Sequence, residues 1–230
     1  MSKLLPYVPE TVRPVPHWDV YLVLDHPGMR SPLELARAGL AAGVGIFQLR
    51  SKGRPDRETL ELARELRLLA TEKEALFIIN DRADLALASG ADGVHLGRQD
   101  LPLETVRRLV GDLIIGVSVS HPDEALAAEQ GGANYLGVGP VFATPTKADA
   151  RPVIGLEGLT RVRQVSGLPL VAIGGITAAA VPQAVRSGAD GIAVISAVAG
   201  ADDPEETCRR LLEDIASAKG RRGSERMVLS

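Results

Sequence analysis

The sequence predicts an α/β fold, a single (β/α)8 TIM barrel, and three observations carry the prediction. Short apolar runs, of the kind buried on both faces of a parallel sheet, alternate with segments of helical periodicity, and the alternation repeats eight times. The length of 230 residues suits one undivided barrel, a fold that commonly takes about 250 residues. The tetrapeptide G-A-D-G recurs at Gly90–Gly93 and Gly188–Gly191, a helix-to-strand turn used alike in both halves. An open doubly wound sheet is the competing architecture, and this recurrence disfavours it.

Residues 1–18 hold Pro6, Pro9, Pro14 and Pro16, which fix φ and remove backbone donors, so they predict an extended N-terminal arm. The barrel is expected over 19–218. Its first strand is Asp19–Asp25, followed by a helix over Pro32–Leu40 with Ser31 as N-cap and proline at the first helical position. Strand Val44–Leu49 then leads to helix Arg57–Thr71, strand Leu76–Asn80 to helix Ala83–Ser89, and strand Gly93–Leu96 to helix Leu103–Val110. In the second half, strand Leu113–Val117 precedes helix Pro122–Gln130, and strand Tyr135–Val138 precedes a long loop and helix Leu156–Val165. Strand Leu170–Ile173 leads to helix Ala178–Arg186, and strand Gly191–Val194 to helix Pro204–Ala218. The tail, 219–230, lacks periodicity and is expected to be disordered.

Composition narrows the function. A hydrophobic fraction of 45% with only 3% aromatics predicts a core of Leu, Val, Ile and Ala, the usual filling of a parallel sheet. A net charge of -3 and the lack of a basic or aromatic stripe argue against nucleic acid as a partner. The single cysteine, Cys208, excludes a disulfide framework and fits the reducing cytoplasm. No apolar leader or membrane-spanning stretch is expected, so neither secretion nor a membrane partner is.

In a barrel, active sites form at the C-terminal ends of the strands, and polar residues gather there in this sequence. Asp81 and Asp100 follow the third and fourth strands. If those strands are parallel neighbours, the two carboxylates emerge at one sheet edge, a donor set suited to Mg²⁺. The competing reading of Asp81 is a helix N-cap. Gln48, Arg50 and Lys52 are spaced by two and so share one face, which suits a flat heterocycle and an anion; a solvated strand end is the alternative. Ser118 ends the fifth strand as a neutral donor, while His121 is expected at the exposed start of the next helix. The loop after the sixth strand is long enough to be functional, and its Thr144, Thr146 and Lys147 are phosphate-binding groups. After strands seven and eight, Gly174, Gly175, Ile195 and Ser196 form a candidate phosphate cradle. A diphosphate at the metal and a monophosphate at the glycines would suit an enzyme that joins or rearranges phosphorylated compounds.

Q-L-R-S-K, N-D-R-A-D, G-V-H-L-G-R-Q-D, G-V-S-V, G-P-V-F-A-T-P-T-K, I-G-G-I and I-S-A, in this order, resemble the thiamine-phosphate synthase family over about residues 19–218. The resemblance implies a transferase that displaces diphosphate from 4-amino-2-methyl-5-(diphosphomethyl)pyrimidine with the nitrogen of a thiazole phosphate, yielding thiamine monophosphate. It implies that Gln48 recognises the aminopyrimidine and that Arg50, Lys52, Asn80, Ser118 and Lys147 hold its diphosphate. Asp81 and Asp100 would bind Mg²⁺. Thr144, Thr146, Gly175, Ile195 and Ser196 would hold the thiazole phosphate. The implied chemistry is dissociative, and Arg50, Lys52, Ser118 and Lys147 would act catalytically. Arg98 stands where the family usually has Gln. The expected partners are these small-molecule substrates; the sequence leaves the oligomeric state open, with a homodimer among the options. The competing functions are a thiazole tautomerase on the same barrel, which would use a histidine after the fifth strand, and a non-catalytic phosphate-ligand-binding barrel.

Overall fold

The computed structural model describes residues 18–26, 30–144 and 152–228. Eight strands, β1 (Val20–His26), β2 (Ile46–Ser51), β3 (Leu76–Asn80), β4 (Gly93–Leu96), β5 (Ile114–Val119), β6 (Tyr135–Val138), β7 (Leu170–Ile173) and β8 (Gly191–Val194), pair in sequence order and close into a barrel. Every pairing is parallel, and β8 closes on β1 with Val20 opposite Ile192. Outside run α1 (Pro32–Ala42), α2 (Asp56–Glu72), α3 (Ala83–Ser89), α4 (Leu103–Val110), α5 (Pro122–Gln130), α6 (Gly155–Val165), α7 (Val181–Arg186), the short α8 (Ser196–Ala199) and α9 (Pro204–Val228). Ser31 caps α1 as its sequence predicts: its Oγ accepts from Glu34 N at 3.2 Å while the Glu34 carboxylate accepts from Ser31 N at 3.1 Å.

The period-two alternation of each strand divides the core into two compartments. Leu22, Leu24, Phe47, Leu49, Phe77 and Ile79 face the helices, whereas Tyr21, Val23, Ile46, Leu76, Ile78 and Tyr135 fill the lumen. Gln48 follows Ile46 on the inward face, where its register partners Val23 and Ile78 are aliphatic. Trp18, the described end of the N-terminal arm, packs on Tyr135 with ring centroids 4.6 Å apart; residues 1–17 lie outside the described residues.

The recurring G-A-D-G has a mechanical purpose. Asp92 Oδ2 accepts from Phe77 N in β3 at 2.8 Å and pairs with Arg67 of α2 at 2.5 Å. Asp190 Oδ2 likewise accepts from Leu170 N in β7 at 2.9 Å and meets Arg163 of α6 at 3.1 Å. Asn134, in the related G-A-N-Y, accepts from Ile115 N in β5 at 2.8 Å and from Arg107 of α4 at 2.7 Å. At three places, then, one side chain ties the first turn of an odd strand, the next even strand and the helix between their predecessors. In each G-A-D-G the first glycine leaves its helix with positive φ, 70° at Gly90 and 111° at Gly188, where a side chain would be strained.

Besides small shifts at strand ends, the helices depart from the sequence reading in three ways. The helix expected over Ala178–Arg186 begins as a 3-10 turn, Ala178–Ala180, because Pro182 falls in the first turn of α7 and cannot donate to a longer helix. Helix α8 was not anticipated, since four residues carry no period. The tail expected to be disordered is helical to Val228: α9 continues past Ala218, and Lys219 anchors it by donating to Asp19 Oδ1 at 2.6 Å and Trp18 O at 3.1 Å.

Candidate active site

The C-terminal ends of the strands open into a cavity of about 590 Å³. Asp81, immediately after β3, sits on its wall with φ +64°, a left-handed conformation that Asp tolerates better than most residues. Its backbone N–H donates to His95 O at 2.8 Å, locking the end of β3 to β4. It does not cap α3, whose N-cap is Arg82 with no side-chain capping bond, so the competing cap reading is overturned. Arg82 instead turns outward and grips Asp56 at 2.6 and 3.0 Å and Asp84 at 2.9 and 2.6 Å.

Asp100 reaches the same wall from the loop after β4. That loop is pinned rather than loose, for Asp100 Oδ2 accepts from Gly97 N at 2.6 Å. The carboxyls of Asp81 and Asp100 lie within hydrogen-bonding reach of each other. Burial, then the hydrogen bond and like charge of Asp100, push the Asp81 carboxyl up to about 6, against the opposing pull of Lys52 and Arg50. Lys52 Nζ stands 3.7 Å from Asp81 Oδ2. Arg50, Asn80 and Ser118 line the same cavity. Gln48 does not: it is 4% exposed and lies in a narrow space beneath, which Arg50 and Asn80 also border.

Across the barrel mouth, Gly174, Gly175, Ile195, Ser196 and Thr144 line the opposite side. Both glycines have positive φ, and a Cβ on Gly175 would run into the Phe142–Ala143 backbone. The glycine pair therefore seats the loop after β6, with Phe142 N donating to Gly174 O at 2.9 Å. Ile195 and Ser196 open α8, so the first turn of this extra helix borders the cavity. Thr146 and Lys147 lie outside the described residues. His121, which the tautomerase reading would place at the chemistry, caps α5 instead, its Nδ1 accepting from Asp123 N at 3.4 Å, with 66% of its side chain exposed.

Sequence reasoning missed Tyr21, His95 and Tyr135. Gln48 Nε2 donates to the Tyr21 hydroxyl at 2.9 Å, and the Tyr21 and Tyr135 hydroxyls are 2.8 Å apart. His95 Nδ1 is 2.9 Å from the Tyr135 hydroxyl and its Nε2 is 2.8 Å from Ser118 Oγ. The available signal was parity: His95 and Tyr21 occupy inward positions of strands whose outward neighbours are aliphatic. Among the described residues no group of three or more His, Cys, Asp or Glu side chains surrounds one point; Asp81 and Asp100 are a pair of carboxylates on one cavity wall.

A sequence model of the thiamine monophosphate synthase family matches residues 20–198. The thiamine-phosphate synthase of Moorella thermoacetica is 48% identical over 210 residues, covering 90% of this chain and 100% of the relative. That of Pyrococcus furiosus is 45% identical over 199 residues, covering 85% of this chain and 95% of the relative. A solved structure of a thiamine phosphate pyrophosphorylase from Pyrococcus furiosus superposes with a TM-score of 0.82 at 43% identity, covering 87% of this chain and 96% of its own. A 3-hexulose-6-phosphate synthase superposes with a TM-score of 0.68 at 19% identity and shares the fold alone.

Proposed function

The chain belongs to the thiamine monophosphate synthase family, a family of transferases, and we propose that it moves an aminopyrimidinylmethyl group from diphosphate to the nitrogen of a thiazole phosphate. The observation that carries this reading is a single cavity with two unlike polar sides, the acids and cations of β2–β4 facing the glycines and α8 of β7–β8, each suited to a phosphate group. Two phosphorylated substrates fit with their reacting atoms between these sides. The carbon–oxygen bond to diphosphate breaks with its electron pair leaving on oxygen, the pyrimidine amine feeds electrons to the methylene cation, and the thiazole nitrogen captures it.

On this reading Arg50 and Lys52 place positive charge against the diphosphate, with Lys147 as a third cation, while Asn80 and Ser118 offer neutral donors. Gln48, held from below, presents an amide to the heterocycle. Gly174, Gly175 and Ser196 surround the thiazole phosphate with backbone donors, aided by Thr144 and Thr146, at the place where barrels often carry a short extra helix for this purpose. Ile195 fixes the start of that helix. The Asp81–Asp100 pair fits Mg²⁺: two mutually repelling carboxylates, one with its proton affinity raised, are relieved by a divalent cation and leave room for phosphate oxygens and water. The ion would supply charge neutralisation to the departing diphosphate. The deciding experiment incubates the purified chain with both substrates and Mg²⁺ and follows thiamine monophosphate by chromatography. Formation of product only when both substrates are present is the expected result; no product under any metal condition would reject the reading.

A further inference from the structure

The bonded series Gln48, Tyr21, Tyr135, His95 and Ser118 draws one residue from each of five strands and runs through the lumen beneath the cavity. Its donors and acceptors form a consistent order. The Gln48 amide nitrogen can only donate, so the Tyr21 oxygen accepts; either phenol could donate in the Tyr21–Tyr135 pair, and the order in which the Tyr21 proton also finds an acceptor directs it to Tyr135. In that order Tyr135 donates to His95 Nδ1. An imidazole accepting at Nδ1 carries its proton on Nε2, which donates to Ser118 Oγ. Ser118, satisfied as an acceptor, has its own hydroxyl proton left for the cavity it lines.

We propose that Tyr21, Tyr135 and His95 are positioning residues whose one-way hydrogen bonding holds Ser118 as a donor toward the bound substrate. The proposal rests on the reading of Ser118 as a group that holds the diphosphate. The barrel is shaped around the series: a Cβ on Gly116 would overlap the Tyr135 ring, and one on Gly137 would come within 2.9 Å of His95 Cε1. Burial pushes the ionisation of both phenols up, which keeps their protons in place as donors. A buried polar series is costly if one member is unsatisfied, and each member here has a partner.

The test combines ¹⁵N-histidine spectra with kinetics. The chain has 4 histidines, and the His95 signals are assigned from their loss in His95→Gln. The wild type should show the Nε2–H tautomer at His95, and an Nδ1–H tautomer would overturn the proposal. In kinetics, His95→Gln can still offer an N–H toward Ser118 whereas His95→Leu cannot, so turnover of the Leu variant should be lower by about tenfold, the worth of one hydrogen bond, with KM for the thiazole phosphate unchanged. Equal turnover of the two variants would show that His95 only fills space. Tyr135→Phe, which removes the proton offered to Nδ1, should shift the His95 signals; unchanged signals would contradict the directed order. A wild type that makes no thiamine monophosphate would defeat the reaction assigned to the cavity, and the tautomer measurement would still decide the order of the series.

Discussion

Asp81 combines a left-handed backbone, partial burial and an adjacent like charge, so at this one residue the fold works against its own stability. The carboxyl has its usual value of 3.8 when unfolded and about 6 when folded. Below the lower value both states are protonated and nothing is lost. As pH rises between the two values the unfolded chain releases its proton first, so the fold loses stability, and the full cost is present above about 6. Asp81→Asn, whose amide tolerates the same φ, should therefore stabilise the metal-free protein at neutral pH by about 1–3 kcal/mol. The gain should fade on acidification toward 3.8. Thermal melts of both proteins across this range check it, and a melting difference independent of pH would contradict the assignment. A second residue-scale prediction concerns Gln48: Gln48→Leu removes the donor to Tyr21 and, on the proposed function, the amide that reads the heterocycle, with an expected loss of about 1–3 kcal/mol in pyrimidine diphosphate affinity by calorimetry. Unchanged affinity would show that Gln48 does not read the ring.

The residues after strands were legible because charge and glycine at a strand end stand out against an apolar run. Asp81, Asp100, Arg50, Lys52, Ser118 and Gly175 could be picked out that way, and the structure gathers all of them around one cavity. Tyr21, Tyr135 and His95 were not, because an inward aromatic or imidazole within a buried strand looks like ordinary filling until its partners on other strands are known.

Among the elements, strands β3, β4, β6, β7 and β8 were readable to the residue, since the first four are short apolar runs closed by Asp or Gly and β8 is an apolar run opened by Asp190-Gly191. Boundaries moved where the chain gives no local punctuation: β2 and β5 extend beyond their apolar cores into the polar residues of the site, whose pairing with neighbours keeps them extended. Asp92, Asn134 and Asp190 act as clamps that tie β3 to β4, β5 to β6 and β7 to β8 at the end of the barrel away from the cavity. Asp92→Ala would remove the acceptor of Phe77 N and leave Arg67, 19% exposed, without its carboxylate. The expected destabilisation is about 3 kcal/mol. Because the clamp lies at the stability end of the fold, kcat at a permissive temperature should stay at the wild-type value. A turnover loss matching that of an active-site variant would refute this division of labour.

At the scale of the whole molecule, sequential pairing puts β3 and β7 on opposite sides of the ring, which separates the acidic and cationic side from the glycine side across one cavity. Eight strands make that separation automatic, and on the proposed function it would keep the phosphates of the two substrates apart. Among the described residues no helix is long and apolar enough to cross a membrane. On the proposed function the Asp81–Asp100 pair serves the departure of diphosphate. That role is tested most directly by the initial rate of thiamine monophosphate formation as Mg²⁺ is titrated into chelator-treated wild type, Asp81→Asn and Asp100→Asn. The wild type should be silent without the ion and recover with it, while each variant, folded by its melt, should lose at least about 100-fold in turnover at limiting Mg²⁺. Wild-type turnover in chelator, or full activity in both variants at limiting Mg²⁺, would contradict the claim.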